Sequence, residues 1–488
     1  MNKGSLVARS IVAILLLIGF YALALGIAGG LLWVVYAQVF IAERVILKLA
    51  FVCVVLAGVI LWSILPRVDR FEPPGPLLSE TDHPRLFALI RDIAKRTDQG
   101  MPSAVYLVAD VNAFVAQRGG IMGFFSRRVM GIGLPLLSLL SVSQLRAVIA
   151  HEFGHYHGGD TKLGPWIYKT RGAIVRTIVS LAEGGSTIVR KPFEWYGMLF
   201  LRTTHAISRA QELAADALAA RVVGAKHLID GLKAVHGGSA AYGAFLQHEY
   251  APVLAAGYRP PLAHGFRAFV DDKRVRSSLD QLIAKEIEET DLDPFDTHPP
   301  LAQRIEALEH LEQLTRDTDD SPAIELLGDA DLAEADLVRG GESKPLERLA
   351  WSKVAERVLL PQWQKNTDDV ARELGRVTLA ELVKPPARLG KLAARVLKQD
   401  LSEEPDAASR IGAHLVAAAV CSTLAAAGWS VKNRVGRPIV LRKGELRLTP
   451  FKDFTALAEG ELKPAELVQR LTDAGVHDVV LHTTAKSR

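Results

Sequence analysis

The sequence predicts a mainly helical α+β protein in three parts: an N-terminal transmembrane hairpin, a central domain with a small sheet, and a separate small α+β module at the C-terminus. Three observations carry this. Two long apolar runs open the chain, short β-branched pieces precede a strongly helical middle, and an acidic stretch with a glycine pair precedes a change of pattern. At 488 residues the chain exceeds what a single core serves. Its 58 basic and 54 acidic residues leave a net charge of +4, which does not point to nucleic acid as a partner. Hydrophobic residues make up 49%, more than a soluble enzyme needs, and turn attention to the bilayer. The two cysteines, Cys53 and Cys421, provide neither a disulfide framework nor a cysteine metal site and fit a reducing compartment.

The first part, residues 1–70, is the hairpin. From Ser10 to Ala42 no residue is charged, and as a helix this stretch exceeds the roughly 30 Å of hydrocarbon it must cross. After Glu43 and Arg44 a second run, Val45 to Leu65, carries only Lys48, close enough to one end to reach the headgroups. A cleaved signal peptide is the alternative, since Ala22-Leu23-Ala24 resembles a cleavage site, but the apolar run continues well beyond it. Lys3, Arg9, Arg67 and Arg70 flank the hairpin against Arg44 and Lys48 in its short loop, a bias that places the rest of the chain in the cytoplasm.

Phe71 to Pro76, with three prolines and a glycine, reads as a linker away from the membrane. Asp82-His83-Pro84 opens an amphipathic helix with Leu86, Leu89, Ile90 and Ile93 at helical spacing. Val105–Val108, Asn112–Ala116 and Arg128–Gly133 read as strands of a small sheet. Farther on, Asp317 to Asp336 holds eight acidic and no basic residues, with Gly340-Gly341 beyond, which marks a solvated boundary. Beyond it, helical patterns at Glu347–Leu360 and Ile411–Ala427 lead to a hairpin, Pro438–Leu441 and Glu445–Leu448, turning at Lys443-Gly444. Ile411–Ala427 is short, alanine-rich and contains His414, so it reads as a buried core helix rather than a third span.

The chemistry centres on His151-Glu152-Phe153-Gly154-His155. Ser141 and Gln144 have capping-box spacing, and Leu145, Val148, Ile149, Phe153 and Tyr156 form an apolar stripe, so the segment is helical until Gly158-Gly159 stops it. His151 and His155 then stand about 40° apart in projection and one turn apart, and both imidazoles can reach one ion. Glu152, about 100° from His151, can instead accept a proton from water at the metal. Roughly a few per cent of shuffled chains of this composition would contain such a pattern, so a third ligand is needed. Ser208 through Asp216 supplies a candidate: on an alanine-rich helix ended by Gly224, Glu212 can bind metal while Asp216, on the same face, orients a ligand histidine. Arg209 lies on that side too. The plainer alternative is a solvent-facing helix with ordinary ion pairs. Two other histidines read more simply, His157 as a surface or capping residue and His205 as a packed one.

These segments resemble the HtpX and CAAX prenyl protease family of integral-membrane zinc metallopeptidases. Three motifs carry the likeness in order: His151 to His155, Ser208-Arg209 through Glu212 to Asp216, and Thr297-His298-Pro299 with Arg304 six residues after the histidine. The resemblance implies a gluzincin-type zincin fold, one zinc per chain held by His151, His155 and Glu212, and Glu152 as catalytic base. By the same likeness His298 steadies the scissile carbonyl or its oxyanion with Arg304 in support, and the strand containing Asn112-Ala113-Phe114 lines the cleft. From the residues alone, His298 is simply held extended before Pro299-Pro300, ahead of a helix. Family members often carry further spans between the two metal helices. Here Ile174–Leu201 is broken by Arg176, Glu183, Arg190, Lys191 and Glu194, which suits an amphipathic stretch on the membrane or over the cleft.

The resulting division is a zinc metallopeptidase domain at 71–315, an acidic linker at 316–343 and a C-terminal module at 344–488. The expected activity is membrane-anchored endopeptidase action on membrane or membrane-proximal polypeptides, at the inner or plasma membrane with the catalytic domain cytoplasmic. The expected partners are those polypeptides and the lipid bilayer, with no nucleic acid and with a protein partner for the C-terminal module. Two alternatives stand beside this: a prenyl-protein processing peptidase, and a membrane scaffold retaining zinc as structure. Glu152 argues against the scaffold, because a structural site needs no base.

Overall fold

The two apolar runs form α1 (Lys3–Phe40) and α2 (Leu47–Ile64), each long and apolar enough to cross a membrane. The computed structural model describes residues 3–65, 68–120, 125–156, 164–288, 299–311, 318–339 and 346–484. Leu15, Leu25, Trp33, Phe51 and Trp62 point outward, whereas Ala24, Ala28 and Ala57 are buried, small side chains that let helices approach closely.

A small sheet follows, with β1 (Leu77–Leu78), β2 (Ala104–Val108), β3 (Ala113–Arg118) and β4 (Arg127–Gly133). Its order is β1-β2-β4-β3, with β2 and β4 parallel and the other pairs antiparallel, so β3 lies at an edge. The helix α3 (Pro84–Arg96) buries Leu86, Leu89, Ile90 and Ile93, the stripe expected of it. Strand β4 then runs through α4 (Leu134–Leu139) into α5 (Val142–Gly154), the helix of the histidine pair.

The start of α5 is held from two sides. Gln144 N–H donates to Ser141 Oγ at 3.3 Å and Ser141 N–H to Gln144 Oε1 at 2.9 Å, which completes the capping box. Val142 and Ser143 N–H groups donate to the carbonyls of Ser321 and Asp319, at 2.9 and 3.0 Å. The acidic stretch thus folds back to satisfy donors that a helix N-terminus leaves open, with Ala323 and Leu326 buried beside it.

Helices α6 (Gly164–Glu183) and α7 (Thr187–Val223) return to the hairpin. Ala173, Ile174, Leu181, Phe193 and Phe200 pack in one cluster with Phe20, Leu56 and Ile60, so Ile174–Leu201 belongs to a bundle beside α1 and α2 rather than lying over the cleft. The charges that break its sequence find partners. Arg176 donates to the Ser63 carbonyl at 3.2 and 3.4 Å, Arg190 pairs with Glu194 at 2.7 Å, and Tyr196 Oη donates to the Leu16 carbonyl at 2.6 Å.

The chain forms two compact units, Met1–Ala240 with Ser277–Gly340, and Ala241–Arg276 with Gly341–Arg488. Residues 241–276, grouped by sequence with the central domain, therefore pack with the C-terminal module. In this second unit the rings of Phe245, Phe266 and Trp351 cluster, and β5 (Tyr258–Arg259) pairs with β6 (Glu347–Arg348). The Pro405–Ala426 helix is apolar enough to span a bilayer, yet 78% of its apolar window is buried inside the unit, with Val416 through Cys421 fully enclosed. It is a core helix. The expected hairpin forms the second and third strands of an antiparallel sheet, β7 (Ser430–Lys432), β8 (Val440–Lys443) and β9 (Leu446–Leu448).

Candidate active site

The histidine rings of α5 stand one turn apart, with centroids 4.7 Å apart and planes at 82°. Glu212, on α7, meets both of them. Its Oε2 lies 3.4 Å from His151 Nε2 and its Oε1 lies 3.5 Å from His155 Nε2, and one donor atom from each residue falls within 4.8 Å of the others. Two donors at about 2.0–2.2 Å from a tetrahedral zinc stand about 3.4 Å apart, so the spacing suits that ion. Two imidazoles and one carboxylate also make a donor set with room for a fourth ligand.

What lets α5 and α7 come this close is Gly154. A β-carbon there would lie 2.8 Å from Ala215 Cα and 2.9 Å from Ala215 Cβ, closer than real side chains come. Gly154 is the last residue of α5, so the lack of a side chain costs little helix stability there and permits the close approach of α7. Gly154→Ala is expected to push α7 away, destabilise the fold by about 1–3 kcal/mol and weaken zinc binding. A chelator competition assay reads the second effect; unchanged zinc affinity would show that the contact does not set the site.

Behind the donors lies a buried charge network. Asp216 accepts from Arg304 at two points, Nε to Oδ2 at 2.8 Å and Nη2 to Oδ1 at 2.7 Å, and its Oδ1 is 2.8 Å from His151 Nδ1. Asp216 and Arg304 are 1% and 5% exposed. Burial alone would raise the Asp216 carboxyl, but its bonds to Arg304 and His151 outweigh that and hold it below the usual carboxylate range. The contact fixes the His151 tautomer: a proton on Nδ1 faces Asp216 and leaves Nε2 for a metal. Burial would lower His151, yet the bonds to Asp216 and Glu212 overcome it and raise the ring to about 9 in the metal-free protein.

Glu152 is set apart from the donor cluster. Part of its surface stays accessible, but the protein packed around it pushes its carboxyl up to about 7, with His151 opposing and Glu212 adding. The Val115 backbone of edge strand β3 also hydrogen-bonds to it. Tyr156 Oη donates to the Val115 carbonyl at 2.9 Å, and the Arg128 guanidinium lies over the tyrosine ring, 4.5 Å from its centroid. Gly133 N–H bonds to the Asn112 carbonyl, so by antiparallel alternation the peptide groups of Ala113, Val115 and Gln117 face away from β4.

The structure thus brings together His151, His155, Glu212, Asp216 and Arg304. It sets Arg304 against Asp216, 3.9 Å from Glu212 Oε2. Arg209 is half-buried and makes no ion pair among the described residues. His298 and His157 lie outside the described residues. His205 is buried, as a packed histidine should be. Three participants escaped the sequence: Gly154 as a contact point, Tyr156, and the Val115 peptide. Only Gly154 left a trace, as a glycine inside a helix.

The profile of Peptidase family M48 matches residues 80–312, a span containing every residue of the metal cluster. The matched span is just under half of the chain's 488 residues. Similar proteins include Protease HtpX of Klebsiella pneumoniae, 28% identical over 255 residues, covering 46% of this chain and 74% of the relative. Protease HtpX of Idiomarina loihiensis is 26% identical over 240 residues, covering 46% and 71%. Protease HtpX of Escherichia coli O1:K1 is 26% identical over 262 residues, covering 48% and 76%. No solved structure matches the chain. The protein is a metallopeptidase, and its cluster of His151, His155 and Glu212 sits in the same compact unit as two helices long and apolar enough to cross a bilayer.

Proposed function

We propose that this metallopeptidase is a zinc-dependent endopeptidase that hydrolyses membrane or membrane-proximal polypeptides with Glu152 as base. The observation that carries the proposal is the convergence of His151, His155 and Glu212 at zinc-ligand spacing, with Glu152 beside them but outside the donor set. These three residues would hold the ion. Zinc, when bound, supplies Lewis acidity that makes water a nucleophile near neutral pH and polarises the scissile carbonyl. Glu152, raised into the range of an effective general base, takes the proton of the attacking water and returns it to the leaving amine. Asp216 keeps His151 in the required tautomer, and Arg304 keeps Asp216 ionised. A polypeptide laid along β3 meets the outward peptide groups of Ala113 and Gln117, a mode with modest side-chain selectivity. The basic residues flanking the hairpin support a cytoplasmic catalytic side.

Purified full-length protein in detergent tests this directly. One zinc per chain and chelator-sensitive cleavage of an unmodified membrane polypeptide are expected. A protein loaded with zinc that cleaves only a farnesylated peptide would favour prenyl-protein processing, and one that cleaves nothing would favour a scaffold. Zinc binding should also depend on pH. His151 must give up the proton on Nε2 to bind metal, so below about pH 9 apparent zinc affinity should climb with pH, by up to about tenfold per unit between pH 6 and 8. Chelator competition across that range checks the slope, and a flat profile would contradict the assigned ligand.

A further inference from the structure

We propose that the second compact unit binds a compact polyanion carrying two or more phosphate groups, in a basic cavity of about 870 Å³. Strand alternation builds one wall. Leu441 and Leu448 turn into the core, while Lys432, Arg442 and Arg447 share the opposite face. Arg442 and Arg447 are direct cross-strand partners, an arrangement of like charges that costs stability. The 434–438 loop adds Arg434 and Arg437, and Lys273, Arg274 and Lys452 close the rim.

Eight cations therefore face one carboxylate, Asp272, in a chain whose net charge is only +4. That carboxylate is already engaged. It pairs with Arg437 at 2.7 Å and accepts from the Arg274 N–H at 3.0 Å. The other seven cations make no ion pair among the described residues, although Arg267, Lys353, Arg372 and Arg470 of the same unit each have an acidic partner. The loop is set in advance, too: Gly436, at φ +75°, donates its N–H to Glu249 at 3.0 Å.

A concave single-sign surface focuses its field and lowers its own repulsion by taking up anions. Five of the eight cations are arginines, whose planar forks match phosphate oxygens. Among the described residues no aromatic side chain lines the cavity, so it lacks the aromatic platforms on which nucleic-acid bases usually stack. Among the described residues Pro438 and Val440 are its only apolar lining residues, too little to hold the side chains of a peptide. The volume suits a discrete small group. Its source is either a phospholipid headgroup with more than one phosphate or a free polyphosphate.

The test uses full-length protein in phosphatidylcholine nanodiscs with inorganic tripolyphosphate as probe. Calorimetry is expected to show one site, and the probe should raise the unfolding temperature. Arg442→Ser with Arg447→Ser should weaken binding by about tenfold or more, since two charge-assisted contacts to the anion are lost. Removing opposed charges should not lower the unfolding temperature of ligand-free protein. If that pair folds poorly, Lys273→Ser with Arg274→Ser gives the same readout from the rim. Arg388→Ser, outside the cavity, should bind like wild type. Adding cardiolipin to the disc separates the sources: weakened tripolyphosphate binding identifies a headgroup, and undiminished binding a free polyphosphate. Absence of tripolyphosphate binding, equal binding by wild type and both double variants, or binding only to nucleic acid with affinity rising with its length would overturn the proposal.

Discussion

Glu152→Gln is expected to lower peptide hydrolysis by about 10²–10⁴-fold, the usual contribution of a positioned general base, while zinc content stays at the wild-type level. Glutamine matches the shape of glutamate and can still accept the hydrogen bond from the Val115 backbone. It cannot take a proton from water. Because the Glu152 carboxylate is not among the converging donors, its neutralisation leaves His151, His155 and Glu212 in place. The loss should fall on kcat, with KM little changed. Full proteolysis by the purified variant would refute the assigned role, and loss of zinc would move Glu152 into the ligand set.

Arg304→Met is expected to destabilise the protein by about 3–5 kcal/mol, because it leaves Asp216 charged and buried without its bidentate partner. Methionine fills much of the space, so the lost charge dominates over the lost volume. The same change frees Asp216 to shift away from His151, and loss of such an outer partner typically weakens metal binding by about 10–100-fold. Combining it with Asp216→Asn removes the stranded charge and should restore part of the stability, giving a coupling energy well above experimental error. Denaturant unfolding of the four proteins measures it. Additive effects of the two substitutions would mean that the pair is not the network described here.

Local chemistry explains which features were legible beforehand. The capping box at Ser141 and Gln144, the apolar runs of α1 and α2, the stripe of α3 and the β8–β9 hairpin depend on residues a few positions apart, and periodicity reports them. Glu212 was reachable because zinc chemistry demands a third donor. The features that were not legible depend on partners far away in the chain. Arg176 looks unsuited to a membrane bundle until the Ser63 carbonyl, 113 residues distant, accepts its guanidinium. Gly154 reads as a weak point in a helix until Ala215 arrives against it. The acidic stretch looks like a tether until Asp319 and Ser321 meet the start of α5. The family likeness marked Arg304 as support for His298, but its buried pairing with Asp216, 88 residues away, could not be read from the sequence.

Helix α7 runs unbroken by any loop from Phe193 and Phe200, packed against the hairpin, to Glu212 and Asp216 beside the histidine pair. The proposed third ligand is therefore carried on the same rod that packs against α1 and α2, roughly 18 Å along it from Phe200. Cutting the chain at the prolines after residue 70 would not liberate a soluble catalytic head. It would strip Phe193 and Phe200 of their cover and leave the ligand-bearing rod without its footing, so this peptidase cannot be shed from its lipid as a working fragment.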